Sequence, residues 1–323
     1  MTGGYQKPRG WLLALSGLGA PGPIRALADV CHIAGDATGE ALCRYRIGRV
    51  AMYRFEYGEA NIAHQQALAL FRQIGSVGGE ASCMKGLGDV ALRRSQYKAA
   101  REAYELALPI FRLVGNEAGE ANCIRSLGDI AMAHSQYDEA RAAYVQALPL
   151  YRRSREIRGE AGCIQRLGNE ALARSQFEPA RDLYAEALRL YQEVGDVLGR
   201  ANCNMSFGDI ALRLSQHDAA RAAYEQALPL YRQVGDVLGE ANCIRGLGDI
   251  ARGQGDAAAA RTDYAAAMAL YERVAEPYRI GGMHFRLAEL ADGDDRAAHV
   301  AAAREAWTSI DRQDLVARLD ELG

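Results

Sequence analysis

Cys43, Cys83, Cys123, Cys163, Cys203 and Cys243 stand forty residues apart without a slip, and a rung that regular means a tandem array of like units. Whole phrases keep the same spacing. Gly119-Glu120-Ala121-Asn122-Cys123 returns as Gly239-Glu240-Ala241-Asn242-Cys243, and Leu127-Gly128-Asp129-Ile130-Ala131 returns as Leu247-Gly248-Asp249-Ile250-Ala251. A period in this range belongs to stacked supersecondary units, whose core is built between neighbours rather than around one centre. A chain of 323 residues, 49% hydrophobic, would ordinarily split into two globular domains. No break in the pattern separates them, so one continuous elongated domain is expected.

The cysteines do not make a disulfide framework. Equivalent positions on stacked helix pairs lie about 10 Å apart, whereas a bridge needs Cα atoms within about 7 Å. There is no CxxC, and no cysteine and histidine stand at ligand spacing. Cys83, Cys123, Cys163, Cys203 and Cys243 therefore read as small buried hydrophobes in a reducing compartment, with no metal and no cofactor. Cys31 and Cys43 are the one pair whose approach the spacing leaves open.

A net charge of −3, with lysine confined to Lys7, Lys85 and Lys98, argues against nucleic acid as the main partner. No apolar run reaches the roughly 18 residues of a membrane span. Lys7 and Arg9 ahead of Trp11-Leu12-Leu13-Ala14-Leu15 imitate a short secretory signal, but Pro21 and Pro23 surround the only cleavage point and glycine interrupts the apolar stretch. A cytoplasmic location is expected.

Within one unit the apolar spacing changes face twice, which predicts two helices. Over residues 119–158, Ala121, Ile124, Leu127, Gly128 and Ala131 trace one amphipathic helix, A; after a turn at Ser135-Gln136-Tyr137, the positions Ala140, Tyr144, Ala147, Leu148 and Tyr151 trace a second, B. Gly235-Asp236 marks the junction to the next unit: glycine takes the left-handed conformation that ends helix B, and aspartate caps the following helix A. Gly195-Asp196 and Gly115-Asn116 repeat the device. Gly128 and Ala140 let backbones approach, while Tyr104, Tyr144, Tyr184, Tyr224 and Tyr264 form an aromatic ladder in the core.

Counted from Ala121, the residues Leu at 7, Gly at 8, Ala at 20, Tyr at 24 and Ala at 27 resemble the tetratricopeptide repeat. The forty-residue length and the Gly-Asp-x-x-Gly-Glu-Ala junction are similar to the extended repeats of Pins/LGN-type polarity adaptors and kinesin light chains. The resemblance covers residues 39–318. It implies an all-α fold, a right-handed α-solenoid (superhelix) of stacked helix-turn-helix units. Departures are visible: position 4 is Met84, Ile124, Ile164, Asn204 or Ile244 instead of tryptophan, position 11 is alanine throughout, and Arg112, Arg152 and Arg232 replace a terminal proline. Pro109, Pro149 and Pro229 sit inside helix B, where a bend is expected. The organisation reads as a leader over 1–22, a capping helix over 23–38, six units over 39–278, and a degenerate unit with a capping helix over 279–323, the last helix at about 311–322.

A catalytic reading finds little. His32, His64, His134, His217, His284 and His299 occupy unrelated repeat positions and read as surface or turn residues, and none belongs to a metalloprotease or nucleophile motif. Gly17-Leu18-Gly19-Ala20-Pro21-Gly22 matches a phosphate-loop pattern without the strand, helix or Gly-Lys-Ser/Thr that would support it. No catalytic residue is assigned and a non-enzyme is expected.

Positions 2, 5, 9 and 12 of helix A share one face, which in the resembling family lines a concave groove holding a peptide. Here that face carries Asn122, Asn202 and Asn242; Lys85, Arg125, Gln165 and Arg245; Asp89, Asp129, Asn169, Asp209 and Asp249; then Leu92, Met132, Leu172 and Leu212. Asparagine can donate to and accept from a peptide backbone, arginine clamps carboxylates, and leucine or methionine supplies an apolar floor. The competing reading is a solvated face laced by Arg125–Asp129 and Arg245–Asp249 ion pairs. The expected function is an adaptor binding a protein or peptide ligand, the alternative an effector-responsive regulatory module. The partners expected are neither nucleic acid nor membrane, and the state is a monomer, with weak self-association through the stack ends as the variant.

Overall fold

The computed structural model describes residues 21–321, in which only helices and turns occur, with no strand. The residues carrying the signal-like segment and most of the leader and phosphate-loop pattern lie outside the described part. Helices follow in the order α1 (Pro21–Ile33), α2 (Ala37–Tyr53), α3 (Tyr57–Gln73), α4 (Val77–Arg93), α5 (Tyr97–Leu113), α6 (Glu117–Ala133), α7 (Tyr137–Ser154), α8 (Ile157–Ala173), α9 (Phe177–Glu193), α10 (Val197–Arg213), α11 (His217–Val234), α12 (Val237–Gly253), α13 (Ala257–Arg273), α14 (Pro277–Glu289), α15 (Gly293–Thr308) and α16 (Gln313–Arg318). A 3-10 turn, Leu319–Glu321, ends the described chain. Even-numbered helices from α2 to α14 are the A helices and the odd ones from α3 to α15 the B helices. The capping helix starts at Pro21 rather than 23, because a proline in the first turn gives up no needed N–H. The final helix is shorter than expected and starts only after Asp311, which turns the chain at φ 56°.

The chain forms two compact units, Met1–Gly159 and Glu160–Gly323, where the sequence suggested one. A stack in which each pair touches only its neighbours has no single core to hold it as one body. In the first unit the pairs are α2/α3, α4/α5 and α6/α7, with α1 packing Ile24 and Ala28 onto Cys43 and Ile47. In the second, α10/α11, α12/α13 and α14/α15 pair in the same way, and α16 lays Leu315 and Val316 against Ala303 and Trp307 of α15. All six cysteine rungs from Cys43 to Cys243 are fully buried. All seven cysteines are free thiols, Cys31 and Cys43 included.

The junction glycines behave as read: Gly115, Gly195 and Gly235 are left-handed at φ 66°, 65° and 71°, and Asn116, Asp196 and Asp236 accept from the N–H three residues on at 2.8–2.9 Å. Whereas α12/α13 turns at Gly255, the turn inside four of the other pairs uses the same conformation with serine instead of glycine. Ser95, Ser135, Ser175 and Ser215 take φ of 56–59° there, a cost that short polar side chains tolerate. Helices α5, α7 and α11 run unbroken past Pro109, Pro149 and Pro229. Each proline is exposed, as is the residue four before it, so water can reach the carbonyl left open.

Two glycines explain how rings fill the interior. A Cβ on Gly128 would stand 2.8 Å from the Tyr144 ring, and one on Gly79 would stand 2.4 Å from that of Phe71. Neighbouring Gly78 has nothing within 4 Å. Gly79→Ala is therefore expected to destabilise by about 2 kcal/mol through overpacking against a buried ring, while Gly78→Ala gains about 0.5 kcal/mol of helix propensity. Urea unfolding of the two variants checks the opposite signs. Equal shifts would refute the close ring contact.

Candidate functional site

The A-helix face is held in place from below by tyrosine hydroxyls. The aromatic ladder at position 24 reaches the residue at position 9 of its own pair: Tyr104 donates to Asp89 at 2.9 Å, Tyr144 to Asp129 at 2.9 Å, Tyr184 to Asn169 at 2.8 Å, Tyr224 to Asp209 at 2.7 Å and Tyr264 to Asp249 at 2.8 Å. A buried phenol needs an acceptor, and a fixed separation of fifteen residues supplies one in each of these five units. Burial first, and the facing carboxylate second, push the Tyr104, Tyr224 and Tyr264 hydroxyls far above their ordinary range, so they stay donors.

A second ring, at position 31, reaches position 2. Tyr151, Tyr231 and Tyr271 donate to the Oδ1 of Asn122, Asn202 and Asn242 at 3.0, 2.7 and 2.8 Å. Where the ring is Phe71 or Phe111 and has no hydroxyl, position 2 is Leu42 or Ser82 rather than asparagine. Where Gly162 removes the acceptor, Gln165 one turn later takes the hydrogen bond from Tyr191 at 3.0 Å. Acceptor and donor thus change together along the chain.

Position 5 adds a cation beside the position 9 carboxylate in three of the units, at Lys85, Arg125 and Arg245. Lys85 bonds Asp89 at 2.5 Å and Arg245 bonds Asp249 at 2.8 Å, whereas the fourth unit is neutral at both places with Gln165 and Asn169. Arg125 reaches Asn122 at 3.4 Å, and its buried Nε has no hydrogen-bond partner. Burial raises the pKa of Asp209, which faces Met205 instead of a cation at position 5. Burial also works against charge at Asp249, but Arg286 and Arg245 outweigh it and hold that carboxyl below its usual range. Most of the face is half-buried, Asn169 is exposed, and Leu92, Met132, Leu172 and Leu212 lie beside it half-buried.

Three features escaped the sequence reading. His64 is no surface residue: it is 1% exposed and stands where every other unit has the ladder tyrosine, between Gly48 and Gly86. Its Nδ1 has no hydrogen-bond partner, because the place opposite, position 9, holds Arg49 instead of aspartate. Glu170 is fully buried at a rung that is valine or isoleucine in every other unit, and it pairs with Arg174 at 2.5 Å. That single charge in an aliphatic rung was the available signal. The degenerate unit, finally, brings Arg279 to Asn242 at 2.8 Å and Arg286 to Asp249 at 2.8 Å. Neither arginine occupies a face position of the repeat, so periodicity gave no sign of them.

Five of the rung thiols are held protonated by burial. Burial pushes Cys83, Cys123, Cys203 and Cys243 up to about 12 and Cys43 to about 11. Among the described residues no group of three or more His, Cys, Asp or Glu side chains is placed to hold a metal ion, and no helix is long and apolar enough to cross a membrane.

Several solved structures share this arrangement. The apo form of the quorum sensor NprR from B. thuringiensis superposes with a TM-score of 0.64 at 13% identity, over 97% of this chain and 95% of that one. Aspartyl phosphate phosphatase F from Bacillus subtilis gives 0.64 at 13% identity over 99% and 90%. A Rap protein complexed with Competence and Sporulation Factor gives 0.67 at 14% over 88% and 77%. At these identities the likeness is one of fold. A search of curated protein sequences returns no significant match. The sequence profile described as Tetratricopeptide repeat matches residues 38–113, 80–153, 160–233 and 199–273. With that match covering more than half its length, and with paired helices at the same register, the chain belongs to the tetratricopeptide repeat family.

Proposed function

We propose that the chain is a non-catalytic interaction module whose A-helix faces, within each compact unit, bind a peptide segment of another protein. The observation that carries this reading is the tyrosine-anchored polar row. Asp89, Asp129, Asn169, Asp209 and Asp249 at position 9, and Asn122, Asn202 and Asn242 at position 2, are fixed by hydroxyls beneath them. A ligand would then lose little entropy in ordering them. Lys85, Arg125, Gln165 and Arg245 between these positions supply varied donors, which suits reading different side chains along an extended ligand. The neighbours support it: one Rap structure holds Competence and Sporulation Factor, and the Rap conjugation gene regulator of the plasmid pLS20 is in complex with the Phr* peptide. A cytoplasmic monomer fits the seven free thiols, and the net charge of −3 does not favour nucleic acid as the main partner.

Panning a random peptide library on the full chain, followed by fluorescence anisotropy, tests the reading. Arg125→Gln with Arg245→Gln, which copies the natural Gln165, is expected to weaken selected peptides about 10-fold or more, and Arg125→Gln alone, outside the Asp249 cluster, should leave the melting temperature within a few degrees. Failure to select any peptide, or selected peptides indifferent to the double change, rejects it. The second reading, a module that changes shape on binding an effector, is favoured by the likeness to the quorum sensor NprR over nearly the whole chain. It requires a ligand-dependent change in small-angle scattering radius, which a rigid adaptor would not show.

A further inference from the structure

The second unit ends in a cavity of 440 Å³ between α12, α14, α15 and α16, and its walls are dominated by arginine. Arg245, Arg252, Arg279, Arg286 and Arg318 line it. Among the described residues, two carboxylates pair with these five guanidiniums. Glu289 pairs with Arg252, and Asp249 is shared by Arg245 and Arg286 at 2.8 Å each. Arg279 donates to the neutral amide oxygen of Asn242 and lies 5.7 Å from the Tyr271 ring centre, while Arg318 lies 5.3 Å from that of Phe285. Neither has a carboxylate partner among the described residues. The Nε of Arg245 is buried without a hydrogen-bond acceptor. Stacking on rings fixes where Arg279 and Arg318 point without neutralising them.

The rest of the lining is apolar. Met283, Trp307 and Leu315 line it as buried side chains, and Tyr278 stands half exposed at 47%. The volume falls within the span of small-ligand sites, about 300–1,000 Å³. An inorganic anion alone would leave most of it empty.

We infer that this cavity binds a phosphate monoester carried on an aromatic or apolar body. Two guanidiniums without counter-charges match a group of about −1.5 to −2 charge near neutrality. Arginine forks bind phosphate oxygens in pairs, and the Met283–Trp307–Leu315 floor takes the apolar part. The inference depends on the peptide-binding reading only for the source of the group, a phosphorylated side chain of the bound segment; a free aryl phosphate is the other source.

Titration calorimetry on the full chain with phenyl phosphate, phenyl sulfate and inorganic phosphate tests it. Phenyl phosphate should bind about 10-fold tighter than either of the other two, and Arg279→Gln with Arg318→Gln should weaken it about 100-fold, about tenfold for each guanidinium removed. Arg318→Gln alone, which leaves the Arg279–Asn242 bond in place, should still give about tenfold. Undetectable binding of phenyl phosphate, equal binding of phenyl sulfate, or equal affinity in both variants with an unchanged melting curve overturns the inference, whatever unphosphorylated peptides do. A phosphotyrosine peptide that binds tighter than phenyl phosphate supports the peptide as source. Equal affinity of the two supports the cavity and assigns it to a free aryl phosphate, leaving the peptide-binding reading to its own test.

Discussion

Asp249→Ala should lower the unfolding free energy by about 3 kcal/mol, the low end of the cost of removing one partner from a buried charge cluster. Three donors converge on this carboxylate: Tyr264 at 2.8 Å, Arg245 at 2.8 Å and Arg286 at 2.8 Å. Alanine leaves all three unanswered. The low end applies because the two guanidinium side chains keep 23% and 26% of their surface in water and can be partly rehydrated. Asp249→Asn retains the acceptor for Tyr264 and removes only the charge, so about half the loss is expected, in keeping with the natural Tyr184–Asn169 pair. The pH dependence follows from the lowered pKa. The contribution of Asp249 is complete above the unfolded carboxyl value and fades as pH falls through the lower folded one. Urea unfolding with hydrogen exchange over α12–α14 measures it, and a loss under about 1 kcal/mol for alanine would show that the cluster does not act as one unit.

His64 should make the first unit sensitive to mild acid. Burial dominates its environment and pushes its pKa down to about 4, with Asp89 opposing and Lys85 and Arg49 reinforcing that fall. Below the unfolded value of 6.5 the unfolded chain takes up a proton that the folded one refuses, so stability is full above that pH and declines toward pH 4. The drop corresponds to about 3 kcal/mol across the window. His64→Tyr with Arg49→Asp restores the hydroxyl and acceptor of the other units and should flatten the decline while raising stability at neutral pH. Unfolding midpoints measured at pH 7, 6, 5 and 4.5 decide the matter. Parallel curves for the two proteins would mean that His64 takes up its proton as readily folded as unfolded.

The free energy behind both expectations sits in partners that no local pattern links. Helices, junction caps, buried cysteines and the tyrosine ladder were legible because each repeats at a fixed spacing: Cys123, Gly235 and Tyr144 announce their place by recurrence. The face at positions 2, 5 and 9 was legible in the same way, since helical geometry alone puts those side chains on one side. What they touch was not. A hydroxyl from Tyr231, twenty-nine residues away, claims Asn202, and a guanidinium from Arg286, thirty-seven residues on, claims Asp249. Periodicity assigns a side chain to a face, whereas hydrogen bonding depends on distances of a few tenths of an ångström between helices.

The sequence by itself therefore determined the repeat, its two helices, their order and most of the recurring interior positions, because burial of a periodic apolar stripe is a one-dimensional signal. Tertiary structure alone decided that the polar row is anchored from within, that His64 replaces a tyrosine in the core, and that five arginines from three helices enclose one cavity. Those outcomes depend on side chains from different helices converging in space, and residues such as Arg279 and Arg318, which do not recur, carry no mark of that convergence along the chain.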